Sequence, residues 1–173
     1  MDYQQAKFDG EWKLNKRNGH GSMVWPDGSR FEGEWRNDER VQGKLVMPDH
    51  NVYEGHFRND KFHGIGKITY DRDGTSFEGI FANGFASTIG RLTPADGHQV
   101  YIGAVEDLKK HGCGILIDHG SGRRYEGEFE DDVALGNGRL IFANGDIYTG
   151  AVQKMQRQGP GCMQYKDGKT FEG

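Results

Sequence analysis

The chain has 173 residues, 28 of them glycine and only 4 proline. So much glycine argues against a helical bundle, where each costs about 1 kcal/mol relative to alanine, and no glycine recurs at every third place, which excludes collagen. Twenty-two basic against 26 acidic residues give a net charge of −4; that leaves no basic face for non-specific nucleic-acid binding, and no run of 18 apolar residues is present to span a membrane.

Residues 1–7 form a lead-in. Met1 to Gln5 carry neither the basic start nor the apolar stretch of a signal peptide. Two cysteines, Cys113 and Cys162, do not make a disulfide framework, and a reducing, cytoplasmic setting is expected. From residue 8 onward an aromatic-x-Gly-x-apolar string recurs. It reads Phe8, Gly10, Trp12; then Phe31, Gly33, Trp35; Tyr53, Gly55, Phe57; and Phe77, Gly79, Phe81. It continues as Tyr101, Gly103, Val105; Tyr125, Gly127, Phe129; and Tyr148, Gly150, Val152. Phe171 and Gly173 begin an eighth copy, so the array covers 8–173 with units starting at 8, 31, 53, 77, 101, 125 and 148 and a partial one at 171. A fixed period of this length is the mark of a repeat architecture.

Each unit has a second string. Its fixed glycine is Gly21, Gly43, Gly66, Gly90, Gly114, Gly138 or Gly161. Two places on stands an apolar residue, such as Met23 or Leu116, and two further on a residue that is usually aromatic or apolar: Trp25, Met47, Tyr70, Phe142, Tyr165. Five units carry an earlier glycine as well, at 19, 64, 112, 136 and 159. Turns such as Pro26-Asp27-Gly28 close the units, and only Gly84 and Gly120 fall outside these positions. Both strings have period two and therefore predict strands. Loops of about six residues joining the strings, with Asp-Gly and Asn-Gly turns, suit antiparallel neighbours. The expected fold is all-β, an antiparallel meander of stacked β-hairpins with no helix. Each unit would advance ~10 Å, which keeps Cys113 and Cys162 about 20 Å apart and unbonded.

Tyr125-Glu126-Gly127-Glu128-Phe129, Gly19-His20-Gly21 and Pro26-Asp27-Gly28 resemble the MORN repeat, the membrane occupation and recognition nexus. The resemblance covers 8–173. It implies a curved, single-layered sheet with an aromatic-lined groove. It also implies a scaffold or protein-binding role, often at cytoskeletal or membrane-apposed structures, with phosphoinositide binding attributed to the family as well. The second unit departs from the pattern, being one residue short and having His50 at the turn-glycine position.

No Ser-His-Asp set, nucleophile elbow or carboxylate pair stands out, so no enzyme and no cofactor are expected. The glycine pairs recur inside strands and precede no helix, unlike a phosphate loop. His111 and Cys113 stand two apart on one strand, and a metal there would have to be shared across a dimer. Lys109 and Lys110 in one turn, with Arg123 and Arg124 in the next, would form a small basic rim able to meet an anionic lipid. The partner groove is expected on the ring face, at Trp12, Trp25, Trp35, Phe57, Tyr70, Phe81, Tyr101, Tyr125, Phe129, Phe142, Tyr148 and Tyr165. The opposite face turns apolar at Ile80, Ile102, Ala104, Ile115, Ile117 and Ile141. Such a patch predicts either self-association as a homodimer or a lid formed by a loop carrying Phe85 and Ile89.

Overall fold

The computed structural model describes residues 6–173; of the lead-in, residues 1–5 lie outside them. The first strands are β1 (Lys7–Lys13), β2 (Lys16–Val24), β3 (Arg30–Arg36), β4 (Glu39–Val46), β5 (Val52–Arg58), β6 (Lys61–Thr69) and β7 (Ser76–Ala82). After them come β8 (Phe85–Thr93), β9 (Gln99–Glu106), β10 (Lys109–Asp118), β11 (Arg123–Glu130) and β12 (Val133–Ile141). The last are β13 (Ile147–Gln153), β14 (Gln156–Gln164) and β15 (Thr170–Glu172). Order in the sheet is order in sequence, and the described residues contain no helix. The chain divides within β8 into two compact units, Met1–Ser87 and Thr88–Gly173.

Register follows from the two strings. Gly33 pairs with Gly43 and Phe31 with Leu45; in the second unit Gly103 pairs with Gly114 and Tyr101 with Leu116. Where a hairpin lies within one unit, its leading ring lies flat across the hairpin's paired glycines. A Cβ on Gly103 would stand 2.5 Å from Gly114 Cα and 2.6 Å from the Tyr101 hydroxyl. Phe31, Tyr53, Tyr101, Tyr125 and Tyr148 are all buried in this way, and Phe77 is buried as well.

Three local features differ from expectation. The hairpins close on two residues instead of about six, as at Asn37-Asp38 (φ 51° and 73°) and Asp131-Asp132 (φ 46° and 72°). Two consecutive positive φ angles are those of a type I′ turn, whose twist matches the strands. Gly84 finds its place here, following Asn83 in such a turn. The earlier glycines do not continue the alternation with the first strand of their hairpin. Gly19, for example, sits at φ 95° where the β1–β2 register shifts between Gly10 and Trp12, which makes a bulge. Finally, Phe85 and Ile89 lie on strand β8 and not on a loop, and both are exposed.

Candidate functional site

In the first unit the rings form a continuous edge-to-face ladder. Centroid distances run 5.4 Å for Phe8–Trp35, 5.2 Å for Phe31–Trp35, 5.3 Å for Phe31–Phe57, 5.2 Å for Tyr53–Phe57 and 5.1 Å for Tyr53–Phe81. Arginines roof it. The Arg17 guanidinium sits 4.3 Å above Trp35, and that of Arg40 4.8 Å above Phe57 and 5.6 Å from Trp25. Each is held by the hairpin turn of the following repeat. Arg17 Nε donates to Asp38 Oδ1 at 3.1 Å, and its terminal nitrogen to the Asp38 carbonyl at 3.0 Å. Arg40 makes the same pair of bonds to Asp60, at 2.9 and 3.1 Å. The Arg17 backbone N–H and then its guanidinium hold the Asp38 carboxyl below the usual carboxylate range. At the third seam Phe62 replaces arginine and stacks on Tyr53 at 3.9 Å. These inter-repeat pairs were not among the residues expected from the sequence. The near-constant separations of Arg17 from Asp38 and Arg40 from Asp60, 21 and 20 residues, were the available signal.

Most of the ring face is core and not groove floor. Trp35, Phe57, Phe81, Tyr101, Tyr125, Phe129 and Tyr148 are buried. Accessible rings are Trp12, 59% exposed, Tyr165, 41% exposed, and the half-buried Trp25, Tyr70 and Phe142. Apart from Trp12, these are the closing residues of their units. In the first unit Trp25 borders an open depression of about 400 Å³ whose apolar wall it forms with Trp35, Leu45, Met47 and Pro48. Arg17, Arg40, Asp38 and Asp60 make its polar side.

The second unit is built differently. Tyr101 and Tyr125 meet Phe129 at 4.9 and 5.3 Å, but Val105 and Val152 replace the other rings. The phenol hydroxyls do the anchoring: Tyr101 Oη lies 2.8 Å from the Ala104 carbonyl and 3.0 Å from that of His111, across the β9–β10 register shift. Burial pushes the Tyr101 phenol up to about 12. Lys110 repeats the seam bond, its Nζ 2.9 Å from Asp132, whereas Ala134 meets the Lys154-Met155 turn only through its carbonyl, 2.9 Å from the Lys154 N–H. A smaller pocket of about 290 Å³ lies beside Phe142, with Arg123 over that ring at 5.5 Å.

The four expected rim cations do not form one rim. Lys109 and Lys110 open β10 while Arg123 and Arg124 open its antiparallel neighbour β11. About eight residues at ~3.3 Å each put the two pairs roughly 25 Å apart. Lys109 and Lys110 bind Asp131 and Asp132, and Arg124 binds Glu126. His111 and Cys113 are separated by the bulge at Gly112 (φ 55°), and His111 Nε2 stands 3.6 Å from Glu106. Among the described residues no group of three or more His, Cys, Asp or Glu side chains could hold a metal. Both cysteines are free thiols.

On the face opposite the rings, the first unit carries a cross-strand charge row: Glu32 opposite Lys44, Lys44 opposite Glu54, Glu54 opposite Lys67, Lys67 opposite Glu78. In the second unit the same row reads Arg91, Ile102, Ile115, Glu126, Arg139. Ile102 and Ile115 are thus directly paired, with Ala104 and Ile117 beside them. Ile141 is set apart from this cluster by β11, whose Arg124 and Glu126 intervene. Ile80 belongs to the first unit, opposite Ile65.

The MORN repeat family model matches residues 8–30, 31–52, 53–75, 125–147 and 148–170. Among solved structures, the fold is similar to that of the SAS-4 (dCPAP) TCP domain of Drosophila melanogaster, in complex with a proline-rich motif of Ana2 (dSTIL). The TM-score is 0.62 at 11% identity, over 100% of this chain and 92% of that one. It is also similar to the TCP10c domain of Drosophila melanogaster Sas-4, with a TM-score of 0.57 at 14% identity, over 89% and 91% of the two chains. At such identities the likeness is one of fold.

Proposed function

The chain belongs to the MORN repeat family, and from that premise we propose that it is a non-enzymatic protein-interaction module, a scaffold that docks an extended segment of a partner at a cytoskeletal or membrane-apposed structure. The observation that carries this reading is the depression in the first unit. It is lined by the half-buried closing residues Trp25 and Met47, and Tyr70 is the half-buried closing residue of the next repeat, on a layer most of whose other rings are already packed away. Two strands at ~4.8 Å give a repeat spacing of ~9.6 Å. A polyproline II segment rises ~3.1 Å per residue with three residues per turn, or ~9.3 Å per turn. A segment lying across the strands with an apolar residue at every third place would set these in turn on Trp25, Met47 and Tyr70. Aromatic-lined grooves suit such segments because the bound shape is already present in the free peptide. The proline-rich motif held by the SAS-4 TCP domain supports the same class of partner.

The test is fluorescence anisotropy with the full chain and labelled peptides roughly nine to twelve residues long, enough to span three repeats. One peptide carries proline at every third place, and the other has the same composition scrambled. The periodic peptide should bind better, and Trp25→Ala should weaken it by about tenfold or more with an unchanged melting temperature. Equal binding of the two peptides, or no loss in the variant, would count against the reading.

A further inference from the structure

The apolar stretch on the non-ring face of the second unit is flanked by unlike charges. Arg91 lies opposite Ile102, Ile102 opposite Ile115, and Ile115 opposite Glu126, on four successive strands. Ile102 is 45% exposed and Ile89, opposite Ala104, is 66% exposed. The lid expected over this stretch is not formed, because Phe85 and Ile89 are themselves exposed on a strand. Arg91 makes no ion pair among the described residues. Glu126 holds Arg124 at 2.7 Å and Arg139 at 3.5 Å, and with Glu128 that flank carries two charges of each sign. The two-sided row is therefore basic at one end, balanced at the other and apolar between.

We propose that this face binds a second copy of the chain, about a two-fold axis parallel to the strands and midway between β9 and β10. That operation reverses strand order without reversing position along the strand. It sets Ile102 against the second copy's Ile115, and Arg91 against the second copy's Glu126, and by symmetry each contact occurs twice. A two-fold perpendicular to the strands would instead bring Arg91 against its own equivalent, a like-charge contact that disfavours it. Sheets stack face to face at ~10 Å, the depth that two layers of isoleucine fill. The first unit has an exposed isoleucine pair too, Ile65 opposite Ile80, but it lies beside the charge row, Glu32 to Glu78, and does not interrupt it. The occupant is fixed by the row of the second unit, where Arg91 and Glu126 flank the isoleucines on successive strands.

Sedimentation velocity on the full chain tests the geometry. The wild-type chain should run at twice the chain mass. Ile102→Glu should weaken the dimer by about tenfold or more while leaving the circular-dichroism melt unchanged, since the side chain is half exposed. Arg91→Glu alone and Glu126→Arg alone should each run as monomers, because either change sets like charges against each other. An equimolar mixture of these two variants should restore the double mass, since every cross-copy pair is then of opposite sign. A monomeric wild-type chain overturns the proposal. So does a dimer indifferent to Ile102→Glu, or a mixture of the charge variants that stays monomeric.

Discussion

The two units solve one problem with different chemistry. Each must bury a row of rings on a sheet that has glycine where other sheets have side chains. The first unit, with Phe8, Phe31 and Phe77 at most leading positions, ties ring to ring edge-on and closes the layer with Arg17 and Arg40, each anchored to an aspartate of the next repeat. The second has tyrosine at all three of its full leading positions and uses the hydroxyl as the anchor, so it needs fewer rings above and accepts Val105, Ala134 and Val152 there. Where side chains above the layer shrink, the polar tip of the layer takes over. The outer faces diverge in parallel: the row of alternating charge that runs unbroken through the first unit, beside the pair Ile65 and Ile80, is interrupted in the second by Ile102 and Ile115.

The paired glycines are common to both units, and replacing one should do the most damage. A Cβ on Gly33 would stand 2.6 Å from Gly43 Cα and 2.9 Å from the Phe31 ring, and one on Gly114 would fall within the Tyr101 ring. Gly33→Ala and Gly114→Ala should each cost about 3 kcal/mol or more in urea unfolding. A cost below ~1 kcal/mol in either unit would mean that its ring can leave the glycine pair.

Alkaline titration probes the hydroxyl anchor of the second unit at Tyr101. Tyr101 titrates near 12 when folded and near 10 when unfolded. Between those values the unfolded chain has lost the proton and the folded chain has kept it, so stability is full below about pH 10 and falls as pH rises towards 12, by about 2–3 kcal/mol for this group. Burial also raises the Tyr53 and Tyr125 phenols. Tyr101→Phe should cost about 1 kcal/mol at pH 7 through its lost hydroxyl contacts, yet flatten the alkaline decline. An unchanged slope in a pH series of urea midpoints would show that Tyr101 ionises without unfolding.

A smaller contrast lies at the seams. Arg40 combines two hydrogen bonds to Asp60 with cation–ring contact to three rings, while Lys110 has its bonds to Asp132 and, among the described residues, no such ring contact. Arg40→Ala should cost about 2 kcal/mol and Lys110→Ala about 1 kcal/mol in the same assay. Equal losses would remove the roofing role assigned to arginine.

Strand phasing was legible because glycine and ring recur at fixed spacing, and that spacing alone puts Tyr101 on the same face as Gly103 and Gly114. The tight turns were not, because Leu14-Asn15, Asp107-Leu108 and Lys154-Met155 lack the Asn-Gly signature and still adopt positive φ at both places. The bulges were hidden for a related reason: a glycine two places before another reads as alternation until the pairing shows extra residues on one strand. Reading loops as long also misplaced Lys109 and Arg123 on one rim, since turns at alternate ends of the strands look adjacent in sequence. In the candidate site, residue type located the rings but not their burial. Of the twelve rings expected to line the groove, only Trp25, Tyr70, Phe142, Tyr165 and Trp12 retain accessible surface, and that depends on what the neighbouring repeat lays over them.

The seams bear on how such an array keeps its order. Arg17 and Arg40 each face an aspartate, Lys110 faces Asp132, Phe62 faces Gly84, and Ala134 meets the Lys154-Met155 turn. Cation is matched with acid, and uncharged with a turn that brings no carboxylate. An array grown by copying one unit would have interchangeable joints, and any repeat could dock on any other. In this chain a hairpin that skipped one place would set Arg40 against Gly84 or Lys110 against Met155, leaving a charge without its acid. Those joints act as keys, and duplicated parts are thereby biased towards one order of assembly.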